Sequence, residues 1–213
     1  MEIEINRLIV GPIQTNCYIV RQKGSAGCFL VDPGANDAKV MGKLHGMEAG
    51  LEAMLITHWH PDHIGAAGEL RQQTGARIII GENDAAGLNA TTDRFGMLAE
   101  KPEGFRSADG TLKDGEEAVI AGIRVRAIET PGHTSGGMSY LLPEHATVFT
   151  GDTLFFASIG RTDLEGGSFE AIRDSITRKL FALEDGIRVL PGHGPETSIG
   201  REKPRVTALL NGI

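Results

Sequence analysis

Short apolar runs separated by turn residues dominate the first third of the chain and predict β-strands. The runs are EINRLIV, NCYIV, GCFLVDPG, LEAMLITH and ARIIIG. Between the later runs, NDAKVMGKLHGMEAG and GAAGELRQQTG read as helices. In the first of these, Val40, Leu44 and Met47 share one side at helical spacing. The resulting order of strand, helix, strand, helix and strand indicates an α/β fold.

Residues 82–114 show no clear period and are rich in Gly, Asp and Thr, which predicts an insertion or flap over a site. Its apolar side chains would either cover an acyl group or pack on the core: Phe95, Met97, Leu98 and Phe105.

Strands are predicted again in EEAVI, IRVRAIET, GMSYLL, ATVFTGD and IRVLPGHG. SFEAIRDSITRKLFAL predicts one helix capped by Ser168. Without a repeat or linker, we expect one domain over residues 1–213.

Composition narrows the class of protein further. The chain has 213 residues, 40% of them hydrophobic, and a net charge of −7, which argues against nucleic acid or an anionic membrane as its main partner. Cys17 and Cys28 are too few for a disulfide framework and are expected to be reduced in neighbouring strands. MEIEINRLIV has neither the basic nor the apolar region of a signal peptide, and no apolar stretch matches a bilayer. A cytoplasmic location is therefore predicted.

Metal-ligand side chains follow four of the predicted strands. THWHPDH, residues 57–63, holds three of the seven histidines. Three more strand ends carry a donor beside a glycine: His133, Asp152 and His193. Because open sheets form sites at the carboxyl ends of strands, the four junctions are expected to converge. A three-histidine loop alone would also suit a surface metal scavenger, but the additional strand-end donors favour a built metal site.

The donors number five imidazoles and two carboxylates, more than the four ligands of one tetrahedral zinc ion. A pair of ions is therefore predicted. One ion is assigned to what we call the first triplet: His58, His60 and His133. The other ion is assigned to the second triplet: Asp62, His63 and His193. Asp152, with two carboxylate oxygens, would bridge the two ions.

This donor set suits hydrolysis. Two divalent ions, two carboxylates and one hydroxide leave a positive site that stabilises a developing oxyanion. Zinc lowers the pKa of bound water to about 7, so that hydroxide is available at neutral pH without a serine or cysteine nucleophile. Zinc is the favoured metal, although iron and manganese also accept imidazole and carboxylate donors.

HWHPDH matches the His-x-His-x-Asp-His signature of the metallo-β-lactamase superfamily. His133, Asp152 and His193 match the remaining ligand positions of that family in order. The resemblance runs from the NCYIVR strand to the end of the chain. It implies the metallo-β-lactamase fold, a four-layer αββα sandwich in which two mixed β-sheets lie face to face with helices outside.

Within the superfamily, TPGHTSGGMSY, TGDTLFFASIGRTD and LPGHGPETSIGREK look most like glyoxalase II, the hydroxyacylglutathione hydrolase, and its short relatives. The resemblance implies cleavage of S-D-lactoylglutathione, or a related thioester, by a metal-bound hydroxide. It implies that Asp62 is catalytic, binding the second metal and orienting the hydroxide. The resemblance also places Asp32 of VDPG close to the site, where Asp32 would support a metal ligand from the side away from the metal. The alternative for Asp32 is a simple Asp-Pro-Gly turn.

The chain departs from glyoxalase II in two respects. Only 20 residues follow His193, too few for the C-terminal helical domain that helps to grip glutathione, so that domain is expected to be absent. Arg161 matches a basic position that faces the glycine carboxylate of glutathione, but Asp163 stands where a tyrosine is usual. Arg161 is thus predicted either to bind a substrate carboxylate or to form a structural salt bridge.

Two other functions stay open at this stage. Persulfide dioxygenase shares the fold and the GRTD motif, and holds one iron on positions that match His58, His133 and Asp152. A non-enzymatic metal-binding module is the third class, disfavoured because no ligand is missing. β-Lactamases place a cysteine where Asp152 stands, which argues against that activity. The favoured partner is a small thioester, with a glutathione conjugate as one candidate, acted on by a monomer or small homo-oligomer.

Overall fold

The first half of the chain forms a mixed sheet in the computed structural model, which describes residues 1–35, 37–90 and 107–212. Six strands lie in the order β1-β2-β3-β4-β5-β6. The first three pair antiparallel, and β3 to β6 run parallel. Their bounds are β1 Ile3–Val10, β2 Thr15–Gln22, β3 Gly27–Val31, β4 Gly50–Ile56, β5 Arg77–Gly81 and β6 Gly110–Leu112.

The second half of the chain forms a second mixed sheet, ordered β14-β13-β10-β9-β8-β7. Strands β10 and β13 are parallel, whereas the other neighbours are antiparallel. Strands β11 and β12 form a separate two-stranded hairpin. The bounds are β7 Glu117–Ile120, β8 Ile123–Glu129, β9 Met138–Leu142, β10 Thr147–Gly151, β11 Leu154–Phe155, β12 Ser158–Ile159, β13 Arg188–Pro191 and β14 Thr197–Ser198.

Helices cover the outer faces of the sheets. They are α1 Asp37–Gly46, α2 Pro61–Ile64, α3 Ala67–Thr74, α4 Gly87–Ala90, α5 Phe169–Asp174 and α6 Ile199–Asn211, with one-turn 3-10 helices at Glu82–Asp84, Pro143–His145 and Leu180–Ala182. No helix within the described ranges has the length and apolar character needed to cross a bilayer.

Three hydrophobic layers separate the four layers of backbone. One lies between the first sheet and helices α1 and α3, and includes Leu30, Leu44 and Leu70. A second fills the space between the sheets, where Phe29 faces the second sheet. The third lies between the second sheet and helices α5 and α6, and includes Ile172. Burial on both faces explains why the strands read as nearly continuous apolar runs, and the predicted αββα sandwich is confirmed.

One predicted helix needs correction, and one helix was not predicted. Ser168 does cap α5, accepting a hydrogen bond from the Ala171 N–H. The helix then changes to a π-helical turn over Ser175–Lys179 and a 3-10 turn, rather than staying α-helical throughout. Helix α6 is not apparent from the sequence pattern, because Pro204 interrupts it. Ser198, which accepts from the Arg201 N–H, is the N-cap signal that predicts this helix.

The predicted flap over residues 82–114 is partly wrong. Its last part contains β6, which extends the first sheet beside β5 and is therefore a core element. Its first part contains the Glu82–Asp84 turn and α4. The side chains predicted to cover an acyl group lie outside the described residues: Phe95, Met97, Leu98 and Phe105.

The two cysteines lie in neighbouring strands, as predicted. Cys17 in β2 and Cys28 in β3 are both buried and free. Burial raises the pKa of the Cys28 thiol to about 11 and raises that of Cys17 further, so both stay protonated at neutral pH.

Candidate metal centre

Four strands end at one place. The loop after β4 carries His58 and His60 and leads into α2, which holds Asp62 and His63. Strands β8, β10 and β13 run in the same direction within the second sheet, so their carboxyl ends share an edge. The turns after these three strands carry the remaining donors: His133, Asp152 and His193. The edges of the two sheets thus meet at all seven residues.

The seven donors form three overlapping groups. Within each group, one ligand atom per residue lies within 4.8 Å of every other. Two of the groups are the first triplet and the second triplet. The third takes His58 from one triplet and His63 from the other, and joins them to Asp152. The convergence predicted from the strand ends is therefore present in the structure.

Distances within the first triplet are short. His60 Nδ1 lies 2.9 Å from His133 Nε2, and the ring centroids of His58 and His133 are 4.8 Å apart. All three side chains are buried. Three buried imidazoles that face each other across so small a gap form a nitrogen cage of the size a transition-metal ion needs.

The second triplet is arranged around one carboxylate oxygen. Asp62 Oδ2 lies 3.1 Å from His63 Nε2 and 3.1 Å from His193 Nε2. Asp152 lies between the triplets, because its Oδ1 is 3.4 Å from His63 Nε2 and its Oδ2 is 3.5 Å from His133 Nε2. This is the position that a bridging carboxylate requires.

Hydrogen bonds outside the centre select which ring nitrogens carry protons. The Thr57 hydroxyl donates to Asp32 Oδ2 at 2.7 Å, so it accepts from His58 Nδ1 at 3.1 Å. His63 Nδ1 donates to Asp32 Oδ2 at 2.9 Å. His133 Nδ1 donates to the Arg161 carbonyl at 2.8 Å. Each of these imidazoles consequently turns a bare Nε2 lone pair towards the centre, the tautomer that metal coordination requires.

Several buried atoms at the centre have no hydrogen-bond partner among the described residues: His58 Nε2, His63 Nε2 and Asp152 Oδ1. A buried polar atom without a partner costs roughly 1–3 kcal/mol. Atoms of this kind, concentrated at one point and all able to donate electron pairs, fit a pair of divalent cations. The donor atoms of the centre are therefore of the kind that a pair of divalent cations requires.

Comparison with known proteins identifies the family. The sequence profile described as the metallo-beta-lactamase superfamily matches residues 10–193. The chain belongs to the metallo-beta-lactamase superfamily. It is similar to a probable metallo-hydrolase, YqgX, of Bacillus subtilis, with 36% identity over 97% of both chains. It is also similar to the hydroxyacylglutathione hydrolase GloC of Haemophilus influenzae, with 34% identity over 99% of both.

Several solved structures resemble this one closely. The BLEG-1 B3 metallo-beta-lactamase has a TM-score of 0.86 and 32% identity, over 94% of this chain and 97% of that one. TTHA1623 in a di-iron-bound form has a TM-score of 0.81 and 31% identity, over 94% and 98%. ETHE1 from Myxococcus xanthus has a TM-score of 0.79 and 29% identity, over 95% and 82%. The resemblance predicted from the sequence is confirmed.

The charges around the candidate metal centre favour the binding of a cation there. Burial lowers the pKa of His60 to about 4, and the neighbouring His133 adds to the shift. Burial also lowers the pKa of His58 well below its ordinary value, so both of these imidazoles stay neutral at pH 7. Burial alone would lower the pKa of His63, but the carboxylates of Asp62 and Asp152 raise it well above its ordinary value. These carboxylates thus favour positive charge at His63, and a metal ion that replaces the proton on Nε2 would supply that charge.

Asp32 supports the centre from behind. Its backbone has a positive φ of 53° and its carbonyl accepts from the Gly34 N–H, so the predicted Asp-Pro-Gly turn is present. The buried carboxylate also accepts from the Thr57 N–H at 2.8 Å, the Thr57 hydroxyl and His63. One residue therefore makes the turn and contacts the loop that carries the candidate donors.

Arg161 lies beside the centre but points its guanidinium elsewhere. Its Nε and Nη2 donate to the two carboxylate oxygens of Asp163 at 2.7 and 2.6 Å, and both side chains are exposed. The structural salt bridge is thus present, while a substrate-binding role stays a prediction. The Arg161 carbonyl, which accepts from His133, contacts the centre directly.

Sequence reasoning missed two threonines that contact ligands. Thr57 connects Asp32 with His58, and its place directly before HWH is a signal that could have identified it. Thr15 donates to Asp62 Oδ2 at 3.0 Å from 47 positions away in the chain. No local pattern marks Thr15, because only the folded sheet brings β2 next to α2.

Gly192 leaves no room for a side chain at the centre. A Cβ there would lie 2.6 Å from His63 Cε1 and still closer to Asp152 Oδ1. We expect Gly192→Ala to displace both ligands and to lower kcat/KM by about 10²-fold, the usual effect of moving a reacting group by roughly 1 Å. Steady-state kinetics and metal analysis check this. Gly186→Ala is the matched control, because a Cβ at Gly186 would meet nothing within 4 Å.

Proposed function

We propose that this protein is a metal-dependent hydrolase that cleaves S-D-lactoylglutathione or a related thioester. The observation that carries the proposal is the similarity to the hydroxyacylglutathione hydrolase GloC over 99% of both chains. The donor set supports it, because both triplets and a carboxylate between them are present. We further propose one domain over residues 1–213, a cytoplasmic location, and a small-molecule substrate rather than nucleic acid.

In the proposed centre, each triplet would hold one divalent ion and Asp152 would contact both. Bound there, the ions would lower the pKa of water towards neutrality and would polarise a carbonyl oxygen. Zinc is proposed first, and iron is the alternative suggested by the di-iron form of TTHA1623. In the net reaction, the water oxygen forms a bond to the acyl carbon and the carbon–sulfur bond breaks. One proton of the water goes to the leaving thiol, and the other stays on the carboxylic acid, which releases it to solvent.

The chain's own residues would orient the reactants. Asp62 is proposed to accept a hydrogen bond from the attacking water and to aim it at the acyl carbon. Its Oδ2 is held by the Thr15 hydroxyl at 3.0 Å and lies 3.1 Å from His193 Nε2. A carboxylate restrained by partners from two other segments has little freedom to turn away, which is what orientation of a nucleophile requires.

Arg161 is proposed to bind a carboxylate of the substrate in exchange for Asp163. We expect Arg161→Ala to raise KM for S-D-lactoylglutathione about tenfold while changing kcat less, because uniform binding is lost. Asp163→Ala, which frees the guanidinium, should lower KM. Arg178→Ala removes an exposed arginine paired with Asp174 and serves as control. An unchanged KM in Arg161→Ala would show that Arg161 does not bind the substrate and has only a structural role.

A second candidate is the persulfide dioxygenase suggested by the GRTD motif. Similarity to the ETHE1 structure is the observation that favours it. This reaction would use one iron on His58 and His133, which belong to the first triplet, and on Asp152, whose Oδ2 lies 3.5 Å from His133 Nε2. The second triplet would then have no metal to hold, although its donors converge as closely as those of the first.

A paired assay distinguishes the two reactions. Purified protein is given S-D-lactoylglutathione while thioester absorbance is followed, and glutathione persulfide while oxygen uptake is followed. The proposal expects loss of absorbance without oxygen uptake. Oxygen uptake with a single bound iron and no thioester cleavage would show that the protein is a persulfide dioxygenase and not a thioester hydrolase. The Asp152→Ala variant is the inactive control for both reactions.

A further inference from the structure

A buried carboxylate outside the two triplets joins the loops that carry the first triplet. Asp84 ends the one-turn helix after β5, and its side chain is only 1% exposed. Its Oδ2 accepts from the Thr134 hydroxyl at 2.6 Å and its Oδ1 accepts from the Gly136 N–H at 2.7 Å. The backbone N–H of Trp59 also interacts with this carboxylate.

The donors to Asp84 are neighbours of metal ligands. Trp59 stands between His58 and His60 in the chain, and Thr134 directly follows His133. One carboxylate therefore ties together the two loops that supply all three imidazoles of the first triplet. The close approach of His60 Nδ1 and His133 Nε2, at 2.9 Å, depends on how these loops are held.

We propose that Asp84 is a positioning residue that sets the separation of the two ligand loops and thereby the affinity of the first triplet for its ion. The inference rests on the proposed metal centre but not on the identity of the substrate. Removing a carboxylate from water costs free energy, and hydrogen bonds to the carboxylate must compensate for that cost. All three donors named here come from the ligand loops or the residues that follow them.

The contact between the turn after His133 and the residues around Asp84 is also tightly packed. A Cβ at Gly136 would lie 2.5 Å from the Asp84 backbone nitrogen, so the turn after His133 lies directly on the residue that holds it. A shift of Asp84 would therefore move this turn. Closely packed contacts of this kind transmit small displacements, because the interior has little free volume to absorb them.

The second triplet is held by different residues. Asn16 donates from its side-chain amide to the carbonyls of Pro191 and Gly194, both at 2.9 Å, and so fixes the turn that carries His193. Asp84 makes no contact with that turn among the hydrogen bonds of the described residues. A change at Asp84 should consequently weaken the first triplet selectively.

Titration of the metal-free protein with Co²⁺, followed by visible absorption, tests the inference without any activity measurement. The titration is done in a His193→Ala background, in which only the first triplet should keep its ion. We expect Asp84→Asn and Thr134→Val to weaken Co²⁺ binding roughly 10- to 100-fold, the usual effect of removing a partner that orients ligands. Thr134→Ser keeps the hydroxyl and should restore the parent affinity.

Unchanged Co²⁺ affinity in Asp84→Asn, with only a lower thermal midpoint, would overturn the positioning role and leave Asp84 as a structural residue. If Asp84→Asn does not fold, Thr134→Val decides alone, because it removes one of the same hydrogen bonds from a different side chain. A parent protein that binds no Co²⁺ would contradict the metal centre itself, and this inference with it. Thioester hydrolysis plays no part in either outcome.

Discussion

Replacement of Asp152 by alanine is expected to remove both ions and to lower kcat/KM for the thioester by about 10³-fold or more, the scale seen when a central catalytic group is lost. Asp152 faces both triplets, with Oδ1 3.4 Å from His63 Nε2 and Oδ2 3.5 Å from His133 Nε2. Its removal takes a negative ligand from each half of the centre. Elemental analysis and steady-state hydrolysis are the measurements.

Two further variants make the Asp152 result specific. Asp152→Asn keeps the shape but loses the charge, and should bind fewer ions than the wild-type protein and more than Asp152→Ala. Asp185→Ala removes an exposed aspartate that pairs with Lys203, and should keep metal and activity. Full metal content in Asp152→Ala would mean that this carboxylate does not bridge the two halves.

The second large effect is expected at Asp32. Asp32→Ala leaves three buried donors without their acceptor, two from Thr57 and one from His63, which costs roughly 3 kcal/mol or more in the free energy of unfolding. A positive φ of 53° at this position adds a cost for alanine of about 1 kcal/mol. Metal affinity should fall roughly 10- to 100-fold, because His63 is no longer oriented.

Denaturant unfolding and metal titration together separate the two contributions at Asp32. Asp32→Asn tolerates the positive φ and keeps one acceptor oxygen, so we expect it to recover part of the stability but not the full metal affinity. Asp174→Ala changes a half-exposed aspartate and serves as the control. Equal stability of Asp32→Ala and the wild-type protein would show that the hydrogen bonds behind His63 contribute little.

The convergence of the candidate donors could be predicted because their signals are local. A histidine or aspartate beside a glycine at a strand end, as at His133, Asp152 and His193, is visible in a few consecutive letters of sequence. Their convergence follows from a general property of open sheets, in which carboxyl ends of parallel strands meet. The structure brings these residues to one place for that reason.

The contacts behind the ligands could not be predicted, because they join distant parts of the chain. Thr15 reaches Asp62 only after β2 has paired within the first sheet, and Asp84 meets Thr134 only when the two sheets pack together. The partner of Arg161 depends on which way a long exposed side chain turns. Sequence pattern specifies burial and period, but not the direction of a flexible side chain.

Strand β6 and helix α6 do not follow from the hydrophobic pattern of the sequence. Strand β6 has three residues, fewer than a periodic pattern needs, and so appeared as part of the flap. Helix α6 carries Pro204 in its interior, a residue that usually marks a helix boundary. Packing of Ile199 and Val206 on the second sheet stabilises this helix despite the proline.

A count of the ions bound per chain tests the dinuclear centre most directly. Metal-free protein is incubated with excess Zn²⁺, freed of unbound metal, and measured by elemental analysis beside the His193→Ala variant. The arrangement of the two triplets predicts two ions in the wild-type protein and one in His193→Ala. A single ion in the wild-type protein, or two in the variant, would contradict it.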